Sequence, residues 1–354
     1  MKASLLEKYY QLTKSIERLI LRLRLAYARL DAIRDRKRFV EKTGKSVLNR
    51  KIRRNIKAYA KRRFGSTAYW PYLALYTEIR GKFKEGWIPF DYLVYVLEPK
   101  WNPPVYRELG NQNSFDYKRF GDFAIKPIFY SVSGLYYDSD FELLDEERLM
   151  GLLSDYNDMM VIKQDFGWGE KQIRFIQSSE FRPHMLDPRI NYVIQPYIKQ
   201  YKVLNELYPH SVNTFRVTTF RKKDGSVDIL YVILRFGVDG SKVDSLASGG
   251  HCIRFDMNGM PASVAYDNFG YECREQHQNT GYRFADLRIP MFQEIITLCR
   301  NAHQNYPYVR LIGWDVCVDE SGVPRLIEWN TDRPTFDMEE ALFGPLLTDD
   351  EELH

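Results

Sequence analysis

Leu311-Ile-Gly-Trp-Asp-Val-Cys-Val-Asp-Glu-Ser-Gly-Val-Pro-Arg-Leu-Ile-Glu-Trp-Asn330 is the stretch from which the rest of this 354-residue chain is read. Two apolar runs, Leu311–Val318 and Arg325–Trp329, flank Glu320-Ser321-Gly322, a turn signal, and together predict a β-hairpin. Asp315 sits inside the first run. On the second strand, period two sets Glu328 and Asn330 on one face and Ile327 and Trp329 on the other. The hairpin folds Asp315 back beside Glu328 and Asn330, so three oxygen-bearing side chains converge among apolar neighbours. Carboxylates in such a place need compensation. A hard divalent cation such as Mg²⁺, which takes oxygen ligands together with phosphate, would supply it, and so would arginine partners.

Working towards the N-terminus, Thr214–Phe220 and Val227–Phe236 flank Lys223-Asp224-Gly225 and read as a second hairpin. Tyr192–Gln195, Phe123–Pro127 and Met159–Lys163 are short apolar runs with strand character. Lys163 is followed by Gln-Asp-Phe-Gly-Trp-Gly169, a loop whose backbone N–H groups can approach phosphate oxygens while the lysine adds a point charge. The same segment also suits an ordinary turn between strands. Leu144–Leu153 and Met291–His303 have helical spacing. Strands and helices mixed with antiparallel hairpins give an α+β class.

The first 64 residues differ from the remainder. They hold 21 Lys and Arg against 5 Asp and Glu, a net of +16, whereas the rest carries 30 against 42, a net of −12. Leu5, Tyr9, Leu12, Ile16, Leu19, Leu23, Ala26, Leu30 and Ile33 alternate spacings of four and three, a heptad a/d pattern. Gly44 ends it, and a second helix follows through Leu48, Ile52, Ile56 and Tyr59 to Gly65. So narrow an apolar stripe needs a partner: the second helix, the rest of the chain, or another copy in a homodimer. Arg50, Lys51, Arg53, Arg54, Lys57, Lys61, Arg62 and Arg63 suit either a solvated helix face or an anionic membrane surface or glycan. No nucleic-acid-binding motif accompanies them. Residues 66–110, rich in Tyr, Trp, Phe and Pro, read as an ordered wrap.

Composition sets the bounds. A hydrophobic content of 44% supports a real core and excludes disorder as the main state. Four separated cysteines, Cys252, Cys273, Cys299 and Cys317, with no C-x-x-C spacing, exclude a disulfide scaffold and the usual zinc sites, and favour a reducing compartment. No apolar run approaches the roughly 20 residues of a membrane span, and no secretory leader is evident. The expected location is cytoplasmic, or peripheral at the inner membrane face.

A lysine strand, a glycine-bearing loop and, far downstream, Asp then Glu-x-Asn together resemble the ATP-grasp superfamily. Val193–Ile198, Leu207–Thr219, Leu234–Gly237, Val243-Asp244 and Ser248–Gly250 are similar to its sugar-transfer-associated branch, related to α-L-glutamate ligase-like proteins. The likeness spans roughly residues 105–345. It implies two α+β subdomains gripping ATP, here preceded by a basic helical hairpin or coiled-coil arm. The implied division is an arm at 1–65, a wrap at 66–110, an N-terminal part and flap subdomain at 111–195, a C-terminal subdomain at 196–345 and an acidic tail at 346–354.

The resemblance also assigns roles. Asp315, Glu328 and Asn330 would hold two Mg²⁺ ions. Lys163 and the flap, with Gly167 and Gly169, would hold the β-phosphate region, and Gln195, Tyr197 and Ile198 would form the hinge at the adenine. Arg235 would reach the γ-phosphate and the developing oxyanion. Arg216, Asn213, Asp244, Ser248, Gly249 and Gly250 would line the acceptor side. Arg216 and Arg235 also suit salt bridges to a sheet acid, and Asn213 a cap or turn. Gln112 falls where a further phosphate-binding lysine is usual, with Lys118 or Lys126 as substitutes and Lys118 preferred. The implied activity is that of a carboxylate-amine ligase, ATP driving amide formation through an acyl phosphate. The expected substrates are an amino acid or amine and a sugar carboxylate, a uronic acid, in polysaccharide biosynthesis. The alternatives are a peptide or α-glutamate-type ligase, and a degenerate nucleotide-binding scaffold.

Overall fold

A computed structural model describes residues 2–167, 173–271 and 275–347. By compactness the chain divides into two units: residues 1–101 with 269–271 and 335–354, and residues 102–268 with 272–334. The architecture is α+β, with two antiparallel sheets in the second unit.

In the first unit, helix α1 (Lys2–Thr43) stops before Gly44 at φ +69°. Helix α2 (Arg50–Phe64) starts where the Asn49 side chain accepts from the Ile52 N–H and ends at left-handed Gly65. Both helix ends thereby satisfy groups that would otherwise lack partners. Helix α3 (Trp70–Arg80) follows. The long first helix fits the expected arm. Of the two forms left open for it, hairpin or coiled coil, the hairpin is not what forms, since α1 packs chiefly on α3 and not on α2. Leu25, Ala28, Ala32 and Phe39 are buried, and Phe39 stacks on Tyr271. The loop between α1 and α2 is pinned to α3 as well. Buried Glu78 accepts from Arg36 Nη1 at 3.1 Å, Ser46 Oγ at 2.7 Å and the Val47 N–H at 2.8 Å. The aromatic segment supplies the core around α2: Tyr59, Phe64, Tyr69 and Tyr92 pack ring to ring, as do Tyr76 and Trp87. The second half of α1 and the inner face of α2 thus belong to this core. Of the α2 cations, Arg63 reaches into it and donates to the Tyr59 hydroxyl at 3.1 Å, whereas Arg53 and Lys57 lie over the Trp70 ring and Arg62 pairs with Glu85.

The short helix Glu339–Phe343 contributes a buried acid to the same unit. Burial pushes the Glu340 carboxyl up to about 8. Folded protein keeps that proton at neutral pH and unfolded protein does not, so the stability Glu340 confers is lost as pH rises through its folded value. Between pH 7 and 9 the loss is about 1.4 kcal/mol. Glu340→Gln, a neutral side chain of the same shape, is expected to gain about 1.4 kcal/mol on the parent between those two pH values. Urea midpoints at the two values check it.

The second unit holds strands β1 (Phe129–Val132), β2 (Leu135–Tyr137), β3 (Leu143–Leu144), β4 (Met159–Gln164), β5 (Arg174–Gln177) and β6 (Tyr192–Pro196) in one sheet, ordered β3-β2-β1-β6-β4-β5. Helix α4 (Glu146–Tyr156), capped by Asp145, covers one face, with Leu149 and Leu153 among Met160, Ile162, Tyr192 and Ile194. Period two turns Val161, Lys163 and Gln195 to the opposite face. Phe123–Pro127 is not the strand its sequence suggests. Pro127 has no N–H to give a ladder, and β1 begins two residues later, leaving Ala124 with a lone bridge to Leu326.

The other sheet runs β11-β10-β7-β8-β9, from β7 (Thr214–Arg221), β8 (Val227–Phe236), β9 (His251–Phe255), β10 (Leu311–Val318) and β11 (Pro324–Asn330). Helix α5 (Phe292–Gln304) covers it. Ile295 and Cys299 from α5 join Val217, Leu234, Ile312, Trp314, Val316 and Trp329 in the main core. Both predicted hairpins, β7–β8 and β10–β11, are present.

Candidate active site

The face of the second sheet opposite α5 carries a row of charge set by strand register. Asp315 lies opposite Glu328 on β11 and opposite Arg216 on β7, and Arg235 on β8 lies opposite Thr214. Antiparallel partners in register bring their side chains together on one face. Arg216 donates through Nε to Asp315 Oδ1 at 2.5 Å and through Nη2 to Oδ2 at 3.0 Å, while its Nη1 donates to the Pro334 carbonyl at 3.1 Å. Arg235 Nη2 lies 3.2 Å from Asp315 Oδ2, and its Nε lies 3.5 Å from Asp244 Oδ2. Thr214 links Arg235 to Asp244: its hydroxyl accepts from Arg235 Nη2 at 2.7 Å and donates to Asp244.

A glycine makes this arrangement feasible. A Cβ at Gly313 would stand 2.7 Å from the Pro334 carbonyl oxygen and 3.2 Å from Arg216 Cδ and Nη1. Gly313→Ala is therefore expected to force Arg216 off its carboxylate and to cost about 1–3 kcal/mol of stability, read as a lowered denaturation midpoint.

Asp315, Glu328 and Asn330 meet as the hairpin predicts. The Asn330 amide lies 3.3 Å from Asp315 Oδ2. Turned so that both neighbours are satisfied, it donates to Glu328 Oε1 at 3.2 Å and accepts from Arg216 Nη2 at 3.3 Å. One detail departs from strict alternation. The β10–β11 register shifts after Asp315, so that Val316 faces Leu326 and Ile327 is the extra residue of a bulge. Ile327 therefore turns to the cavity instead of joining Trp329 in the core. Its carbonyl accepts from Lys163 Nζ at 3.2 Å, joining the two sheets.

Electrostatics sorts these groups. Burial pushes Asp315 up, but Arg216 and Arg235 outweigh it and hold its carboxyl below the usual range. Glu328 is pushed up, by burial and then by the Asp315 charge. Burial pushes Lys163 down, against the pull of Glu328 and Asp116. Asp116, which accepts from Trp329 Nε1 at 3.0 Å, is pushed up to about 8 by burial. Two adjacent carboxylates thus titrate apart, the one beside the guanidiniums ionised and its neighbour holding a proton more readily.

Between the sheets is a cavity of about 400 Å³. Of the residues singled out in the sequence, Lys163, Gly167, Gln195, Tyr197, Ile198, Arg216, Arg235, Asp244, Asp315, Glu328 and Asn330 line it. Asn113, Val161, Phe175 and Lys242 line it too, and sequence reasoning did not single them out. Val161 precedes Lys163 by one strand period, a signal available in the pattern, whereas Lys242 lies in the loop between β8 and β9, where no period marks it. Asn113 Nδ2 donates to the Gln164 carbonyl at 2.9 Å, fastening the base of the glycine loop. Gln195 is buried; its Nε2 donates to the Ile125 carbonyl at 3.3 Å, and its Oε1 has no partner among the described residues.

Other selected residues lie elsewhere. Lys118 does not line the cavity. Its ammonium is 3.8 Å from Asp140 and stacks over Phe141. Lys126 is exposed. Asn213 is fully buried and donates to Gln200, Leu204 and Tyr208, which makes it a brace beneath β7. Ser248 and Gly249 close a turn, and a Cβ on Gly250 would sit 2.7 Å from the Asp244 carbonyl, so Gly250 shapes the loop that carries Asp244. Gly169 lies outside the described residues.

The donor set suits a hard cation: two carboxylates and an amide oxygen, mutually adjacent and flanked by buried positive charge. No group of three or more His, Cys, Asp or Glu forms another candidate centre among the described residues.

A family profile described as sugar-transfer associated ATP-grasp matches residues 170–347. No curated protein matches the chain. Solved structures similar to it include the ADP complex of purK, an N5-carboxyaminoimidazole ribonucleotide synthetase, at 9% identity and a TM-score of 0.37, covering 62% of this chain and 44% of that one. The ATP-grasp ligase PsnB complexed with minimal precursor is similar at 11% identity and 0.40, over 74% and 66%. A biotin carboxylase–β,γ-ATP complex from Campylobacter jejuni is similar at 11% identity and 0.39, over 64% and 42%. In each case the chain spans less than two thirds of the length of the structure it matches.

Proposed function

Because this chain belongs to the sugar-transfer associated ATP-grasp family, we propose that it is an ATP-dependent carboxylate-amine ligase. The observation that carries the reading is the meeting of Asp315, Glu328 and Asn330 with Lys163, Arg216 and Arg235 around one cavity. Asp315, Glu328 and Asn330 would hold Mg²⁺, which supplies neutralisation of the triphosphate charge and polarisation of the γ-phosphoryl group. The charge balance supports this. Among the described residues, the lining carries four basic ones, Lys163, Arg216, Arg235 and Lys242, against three acidic ones, Asp244, Asp315 and Glu328. A triphosphate with about four negative charges would overload so balanced a wall without divalent cations.

The chain's own groups then divide the work. The unpartnered Gln195 Oε1 offers an acceptor for the exocyclic amino group of adenine, beside Val161 and Ile198 for its ring. Lys163 meets the phosphates and, with the Gly167 loop, screens them from water. A substrate carboxylate oxygen attacks the γ-phosphorus as the bond to the β-phosphate oxygen breaks, giving an acyl phosphate and ADP. Arg235 stabilises the charge that develops, and Arg216 fixes Asp315. An amine nitrogen then attacks the acyl carbon, phosphate leaves, the amine gives up its proton, and an amide forms. Positioning and charge stabilisation carry the rate, so no protein nucleophile is required.

The carboxylate we favour is a uronic acid, joined to an amino acid or amine in polysaccharide assembly, in keeping with the family's sugar-transfer description. ADP release is the test. A uronic acid and an amine together should stimulate it, and neither alone. Stimulation only by two amino acids would assign a peptide-type ligase instead. A second reading rests on Lys118, which pairs with Asp140 outside the cavity and leaves Lys163 as the lysine of the first sheet that lines it. If ATP binds and no acid–amine pair releases ADP, the protein is a nucleotide-binding scaffold.

A further inference from the structure

Helix α1 has two opposite faces. Leu25, Ala28, Ala32 and Phe39 are buried on one of them. On a helix at 100° per residue, the heptad a and d positions fall on the other side. There Leu12 is 59% exposed, Leu19 56%, Leu23 61% and Leu30 64%. Every side chain from 7 to 24 except Thr13 is exposed. The seam carries no charge from Leu5 to Ile33 and repeats strictly every seven residues. An apolar stripe of that period matches a supercoiled helical partner; on a straight helix lying on a flat bilayer it would drift about 20° per heptad.

Charge on the flanks selects the partner. The g positions hold Lys8, Ser15, Arg22 and Arg29, and the e positions Leu6, Thr13, Ile20, Tyr27 and Arg34. In a parallel pair each g residue faces the e residue of the next heptad across the seam, so Lys8 and Ser15 meet Thr13 and Ile20, and Arg22 meets the face of Tyr27. The fourth pair, Arg29 and Arg34, is neutralised within each chain, Arg29 by Asp91 at 3.0 Å and Arg34 by Asp31. In an antiparallel pair g faces g, and lysine and arginine would oppose their own kind. We propose that α1 pairs in parallel and in register with α1 of a second copy of this chain, leaving the α3 contact intact.

Light scattering on the full chain at micromolar concentration is expected to give twice the 42.0 kDa chain mass. The double variant Leu19→Glu/Leu23→Glu should give the single mass with an unchanged circular dichroism spectrum, because both residues are exposed within one chain. Leu12→Cys, a d position that meets itself only in a parallel pair, should cross-link to a covalent dimer when oxidised glutathione takes up the electrons. Three results would overturn the proposal. One is a monomeric parent across that range, and another is a dimer unaffected by the glutamates. The third is a monomer that binds phosphatidylserine vesicles and loses them in the double variant, which would assign the seam to a membrane.

Discussion

Asp315→Asn is expected to destabilise the fold by about 3–5 kcal/mol and to abolish Mg²⁺-dependent ATP binding. Asp315 is the shared counter-charge of two buried guanidiniums, with Arg216 bidentate on it and Arg235 at 3.2 Å. Removing one member of a buried pair leaves uncompensated charge, and that is where the cost arises. The stability and binding effects separate in a second variant. Asp315→Leu combined with Arg216→Met replaces the pair by apolar side chains of similar reach, a change that is often neutral in buried pairs. It should recover most of the denaturation midpoint while ATP binding stays absent. If binding returned with stability, Asp315 would be a structural residue and not a cation ligand.

Lys163→Met should behave in the opposite way, with little change in stability and a large change in affinity. The methionine keeps most of the stem and removes a buried cation, leaving the Ile327 carbonyl to lose one donor. What the variant lacks is the charge that would meet the phosphates. Charge-assisted hydrogen bonds contribute about 1.5–3 kcal/mol, so a loss of roughly 10–100-fold in ATP affinity is expected. Calorimetric titration checks it, with the denaturation midpoint as the control for folding. An affinity within twofold of the parent would take Lys163 out of the nucleotide site.

The site was legible where chemistry and period agree. Asp315, Glu328 and Asn330 stand out because acids inside apolar strands demand an explanation, and two-residue alternation says which face they share. Arg216 stood open between a substrate role and a salt bridge; the register opposite Asp315 supplies the salt bridge. The bulge at Ile327 was not legible, since an extra residue in one strand leaves no mark in a pattern read one strand at a time. Lys118 was misleading for a related reason. An exposed lysine paired with Asp140 and a lysine facing a cavity look alike in sequence. Asn213 sits beside strand residues that do line the cavity, yet its amide is spent on Gln200, Leu204 and Tyr208 beneath them. In α1 the heptad advertised one face. The buried face includes small residues, Ala28 and Ala32, which carry little periodic signal.

The most direct test of the nucleotide site is calorimetric titration of ATP into the full chain with and without Mg²⁺, alongside Lys163→Met and Asp315→Asn. Saturable binding that needs Mg²⁺, weakened in the first variant and lost in the second, is the result expected. Folded parent protein that takes up no ATP with Mg²⁺ present would contradict the ligase reading outright.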